Sequence, residues 1–288
     1  MAEKVKKANN FRRNTIITGI VAGILIVVAN SAIWANRYIV DTNNFTNTAV
    51  ASITSESSTD ALATEIVDVA LADYPTIKSV VDDTAINFIS GLLGSGRMEQ
   101  ALTGVVSRLQ VFLTSPQKPP VVINLEGAKA TVNQLITLSG REGETKFDPN
   151  KIPNEITVID PSKYPNFYDY TVALTWISPL AGIGAIVLLA WPYVKNRKDY
   201  RSVMVIQGAC VAAAGLLALM IGPLFKPIAL GNVQSVNMRV VVGNLYDAFI
   251  STFNAQTGYV ISLGLIAVVV SVGIGVAEHY RIKSNNKK

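Results

Sequence analysis

One cysteine, Cys210, and one histidine, His279, stand in 288 residues. A lone thiol excludes an intramolecular disulfide framework, and a single imidazole leaves no His/Cys set to hold zinc. Charge is scarce as well. Asp, Glu, Lys and Arg make up 16% of the chain, against about 25% in ordinary soluble domains. Half of the residues are hydrophobic, which excludes a disordered chain. No glycine-rich phosphate loop is present, so nucleotide hydrolysis by this chain has no cradle. Asp41-Thr42-Asn43-Asn44 opens like a calcium loop but lacks the glycine at its sixth position and the closing glutamate. No catalytic residue, metal ligand or cofactor site is expected, and the chain reads as a non-enzyme.

The hydrophobic residues are concentrated in four stretches, 15–35, 171–193, 203–225 and 259–277, none holding Asp, Glu, Lys, Arg or His. A hydrocarbon core of about 30 Å needs about 20 helical residues, so each is a membrane span. Trp34, Tyr38, Tyr170, Trp191, Tyr193, Tyr259 and Tyr280 mark their ends, as interfacial aromatics do. The first span exceeds the apolar core of a cleaved signal peptide, about 7–15 residues, and reads as a retained anchor. Between the spans lie a tail (1–14), a domain (36–170), a short link (194–202), a second loop (226–258) and a C-terminal tail (278–288).

Charge distribution orients these parts. The two tails and the short link carry 13 basic residues against 3 acidic ones, whereas the segment from Ala35 to Tyr170 carries 10 basic and 16 acidic. Positive residues stay in the cytoplasm, which predicts a plasma-membrane protein with both termini inside and residues 36–170 outside. The basic net charge of +5 is thus a topological signal, and no nucleic-acid partner is expected.

The outer domain reads as mostly helical with a small antiparallel β pair. Val81, Ala85, Ile89 and Leu92 share one helical stripe, and Leu102, Val105, Leu109 and Phe112 another. Ser57 and Ser58 read as caps of a further helix through Ile66, Val69 and Ala70. Val121–Leu125 and Glu155–Ile159 are β-like runs, expected to pair and rest on the helices, with a helix over 128–138 and a polar loop over 141–153 between them. In the second loop, Met238, Val241, Leu245, Phe249 and Phe253 follow helical spacing, an amphipathic helix expected to pack on the domain.

Small residues recur at four-residue spacing: Gly19 and Gly23, Gly208 and Ala212, then Ala267, Ser271 and Gly275. Such residues let helix backbones approach closely in lipid, within one bundle or, at Gly19 and Gly23, between copies. Pro179 removes a backbone donor inside the second span and is expected to kink it. The polar residues in the spans (Asn30, Ser178, Gln207, Ser262) are scattered, and no charged path for a coupled ion exists.

The run Asn36-Arg37-Tyr38-Ile39-Val40-Asp41-Thr42-Asn43-Asn44-Phe45 resembles a V-x-D-T-D stretch of uncharacterised four-span membrane proteins of actinobacterial type, with Asn43 in place of the usual aspartate. The resemblance implies a large extracytoplasmic first loop and a bacterial cell envelope, and carries no activity. In layout alone the chain is also similar to permease subunits like the cell-division protein FtsX, but its inner link offers little surface for an ATPase. The sequence therefore predicts a protein that displays residues 36–170 to an envelope protein or wall component for binding, scaffolding or complex assembly. The alternatives are a transport or mechanotransmission subunit working with partner chains, and a self-associated pore in the lipid bilayer.

Overall fold

The computed structural model describes residues 2–70, 75–117, 121–124, 155–159, 168–195, 199–231 and 233–285. Helix α1 (Ala2–Ala35) continues into a π-helical turn, Asn36–Val40, and is followed by α2 (Thr42–Ile53), α3 (Glu56–Ala70), α4 (Pro75–Leu93) and α5 (Gly96–Thr114). After residues 115–167 come α6 (Tyr168–Lys195), α7 (Tyr200–Leu219), α8 (Ile221–Gly231) and α9 (Val236–Asn285). Four helical stretches are long and apolar enough to cross a membrane: Asn9–Val40, Tyr168–Lys195, Tyr200–Gly231 and Val236–Glu278. The chain is a multi-pass membrane protein.

The spans are not arranged as a closed four-helix bundle. Helix α1 packs against both α6 and α7, and α7 packs along α9, whereas α6 and α7 barely touch. The order is therefore α6–α1–α7–α9, and one side of α6 faces away from the rest. Leu180, Ile183 and Val187 on α6 are all more than half exposed, as lipid-facing side chains should be in a bilayer.

Above the spans, α2 to α5 form a helical head. The head-end part of α9 lies against α2 and α3, while α5 covers α2 and α4 covers α3. Phe45, Ala49, Val50 and Val106 form its core, with Leu102, Leu113, Leu245 and Phe249 packed around them. The amphipathic run expected in the second loop is the first part of α9, which continues unbroken for 50 residues. At 1.5 Å per residue it spans about 75 Å, long enough to serve both head and membrane.

Three expectations need correction. The first concerns fold class: the architecture is about 94% helical, and among the described residues no sheet forms a layer of the domain. The two expected β runs form no more than a two-stranded antiparallel ladder, Val121–Asn124 beside Glu155–Ile159, with a register shift between Val121 and Val122 and its first strand reaching α5. Two strands alone are marginal as an independent sheet, and the helices already bury one another. The expected helix over 128–138 and loop over 141–153 lie outside the described residues.

The second correction concerns the middle of α5. Phe112 is buried and Leu102 packs on the core, both on the expected stripe, but Val106 and Gln110 are buried where the stripe named Val105 and Leu109, which are only half-buried. The third is the start of α3. It begins at Glu56, with the Ser55 carbonyl accepting from the Ser58 and Thr59 amides at 2.9 Å, so Ser57 and Ser58 lie inside its first turn. Their hydroxyls face α9 instead of capping their own helix.

Candidate functional site

Two places combine polar groups with burial: the joint between head and membrane, and a groove among the spans. The joint starts at the π turn. Asp41 is extended (φ −70°, ψ 117°) and its side chain accepts from the Asn44 amide, capping α2. Gln110, 1% exposed, accepts the Thr42 hydroxyl at 2.8 Å and donates to the Ile39 and Val40 carbonyls. Those carbonyls end a helix and need such a partner. Asn36 ties the same turn to α6 by donating to the Leu174 carbonyl at 3.3 Å. The run from Asp41 to Phe45 therefore caps and seats the head: Asp41 as cap, Thr42 on Gln110, and Phe45 in the core, 5.4 Å from the Phe249 ring.

A second set of bonds fastens α3 to α9. Asn244 donates to Ser57 and Ser58 at 2.8 and 2.9 Å. Ser235 caps α9 by accepting from the Met238 amide and donates its hydroxyl to Glu65, which also accepts from Asn237 at 3.2 Å. The Glu65 carboxylate thus sits at the start of a long helix, where the backbone amides favour negative charge. Just below, Trp34 donates to Thr252 at 2.9 Å and stacks edge-on against Phe253, while Asn30 donates to Thr257 and accepts from Gln256. These bonds join α1 to α9 at the membrane end of the joint.

The small residues singled out from the sequence form intramolecular seams. A Cβ on Gly19 would stand 3.0 Å from Cys210 Sγ, and one on Gly23 3.0 Å from Ala214 Cβ, so that face is covered by α7 of the same chain. Gly208 meets Gly264 and Ala267 of α9, and Ala212 lies against Gly264. Ser271 donates to the Arg201 carbonyl at 2.9 Å, and a Cβ on Gly275 would come within 3.1 Å of the Arg201 guanidinium. Gly264, Gly215 and Gly222 belong to the same α7–α8–α9 seam but were not among the residues singled out from the sequence. Pro179 lies on the exposed side of α6, which remains helical through both Pro179 and Pro192.

The groove lies between α6 on one side and α7 with α9 on the other, with Ile26 of α1 at its base. Its volume is about 500 Å³, and its lining is apolar apart from Tyr193 and Gln207. Gln207 is 3% exposed, and its Nε2 finds no hydrogen-bond partner among the described residues. The sequence showed Gln207 only as one scattered polar residue. Spacing gave no hint that α6 would stand apart from α7.

Among the described residues no three His, Cys, Asp or Glu side chains come together as a metal site. Cys210 packs in the α1–α7 seam, and Asp83 is exposed. The side chains of Asp82 and His279 lie outside the described residues. No known protein family, curated protein or solved structure matches the chain.

Proposed function

We propose that this chain is a non-enzymatic plasma-membrane protein that holds its helical head outside the cell as a docking module for an envelope protein or wall component. The observation that carries the reading is the doubled attachment of the head. It is fixed to α1 through the π turn and Gln110, and to α9 through Phe45–Phe249 and the Asn244 and Glu65 bonds. A head held at both ends is kept in a fixed orientation, which suits assembly. The excess of acidic over basic residues in 36–170, and the basic excess in the tails and the 194–202 link, support the outward orientation.

A second reading is favoured by the continuity of α9. One helix running from the head through the span would pass a movement in the bilayer to the head, as in a mechanotransmission subunit. Crosslinking in native membranes, followed by mass spectrometry, separates the two. Envelope partners attached through Lys118, Lys129 or Lys146 are expected of the docking module. A cytoplasmic ATPase attached at Lys195 or Lys198 would overturn it in favour of the second reading.

A further inference from the structure

The groove among the spans has a chemical demand that lipid tails alone do not meet. An apolar chain gains nothing by leaving the bilayer for an apolar wall, because lipid tails are as apolar as leucine. The amide of Gln207 is different. It is buried at membrane depth, where water is not at hand, and an unpaired amide N–H there is costly. A terminal glutamine torsion is soft, so a small rotation turns Nε2 towards the groove that the residue lines.

Depth narrows the identity of the acceptor. Arg201 forms an ion pair with Glu278 at 2.8 Å, with both side chains more than a third exposed, and Lys195 sits 5.1 Å over the Trp191 ring. These groups mark the level of the lipid headgroups at this end of the spans. Gln207 lies six residues along α7 from Arg201, which is about 9 Å deeper. Side chains on a helix tilt towards its N-terminus, which raises the amide back towards the interface. An acceptor just beneath the headgroups is the position of a glycerolipid ester carbonyl.

We propose that the α6–α7–α9 groove is a binding site for one glycerolipid, its acyl chain lying against Ile186, Leu189, Val260 and Leu263 and its ester carbonyl accepting from Gln207 Nε2. The volume of about 500 Å³ falls within the range of small-molecule sites, about 300–1,000 Å³. Tyr193, at the headgroup end of the lining, bounds the site on that side.

The test is native mass spectrometry of the full-length chain titrated with phosphatidylglycerol of matched chain length in diester and diether forms. The wild-type chain is expected to retain one diester lipid, with the diether binding about fivefold more weakly, the scale of one hydrogen bond. Gln207→Leu is expected to bind both forms equally and as weakly as the wild type binds the diether. Ala190→Phe, which fills the groove from an exposed position on α6, is expected to abolish the retained lipid and keeps the test open should the first variant misfold. Equal binding of both lipids by the wild type would overturn the proposal. So would a groove occupied by a second copy of the chain, seen as a lipid-free dimer that Ala190→Phe dissociates.

Discussion

Replacing Gly264 by alanine tests the packing of α7 against α9 at its tightest point. The new Cβ would lie 2.6 Å from the Ala212 nitrogen, 2.7 Å from the Gly208 oxygen and 3.0 Å from the Ala212 Cα. All three are backbone atoms, so no side chain can swing aside. Ordinary contact begins at 3.4 Å, and the helices must part by roughly 0.5–1 Å. A gap of that size forfeits about a quarter to a half of each dispersion contact along the seam. Gly208 against Ala267, Gly215 against Ile261 and Ser271 against Arg201 all lie on it. The expected loss is about 2–3 kcal/mol, the upper part of the range for overpacked interiors.

The control is on the same helix. A Cβ on Gly273 would meet nothing within 4 Å, so alanine there should leave stability unchanged or raise it by up to about 1 kcal/mol through helix propensity. Both variants would be unfolded in mixed micelles and followed by circular dichroism, with the midpoint compared at fixed detergent composition. A Gly264→Ala midpoint indistinguishable from that of Gly273→Ala would refute the close approach of α7 and α9.

Phe249→Ala should destabilise the head by about 2 kcal/mol, less than a fully buried phenylalanine costs because Phe249 is half-buried; hydrogen exchange in α2 and α5 should rise while α7 stays protected. Asn244→Ala strips Ser57 and Ser58 of a shared donor, and Ser58 is fully buried. A loss of about 1–2 kcal/mol is expected, and a double-mutant cycle with Ser58→Ala should show coupling rather than additivity. Glu278→Gln breaks the ion pair with Arg201, whose partners are 39% and 46% exposed. At such exposure the pair is worth at most about 1 kcal/mol, so its midpoint should barely move in moderate salt.

The spans were legible in the sequence because absence of charge over about 20 residues is a property of a single stretch of chain. Their partners were not, since spacing identifies a small-residue face without saying which helix will occupy it. Gly19 and Gly23 could serve a second copy or a neighbouring span, and only the fold places Cys210 and Ala214 against them. In α5, Val105 and Leu109 were named where Val106 and Gln110 are buried, for a related reason. A hydrophobic stripe treats glutamine as a surface residue, yet Gln110 is buried because it satisfies the carbonyls of the π turn. The boundary placed before residue 259 followed the onset of hydropathy. Nothing between Val236 and Asn285 breaks a helix, and the polar first half and apolar second half form one element.

That continuity bears on whether the head is a domain in its own right. An isolated segment 36–169 would retain Phe45, Ala49, Val50 and Val106 but lose Leu245 and Phe249, which cover them. Burying a large apolar side chain is worth about 1.5–3 kcal/mol, so the two half-buried residues account for about 3 kcal/mol together. The bonds from Asn244, Ser235 and Asn237 add about 1 kcal/mol each. Set against the 5–15 kcal/mol of a typical domain, a loss of about 6 kcal/mol leaves little net stability. The isolated segment should therefore keep its helices by far-ultraviolet circular dichroism yet unfold without a sharp transition. A fusion that appends residues 233–258 should restore cooperative unfolding. A sharp transition in the isolated segment, at the midpoint of the fusion, would show that α9 merely rests on the head and that the head folds without it.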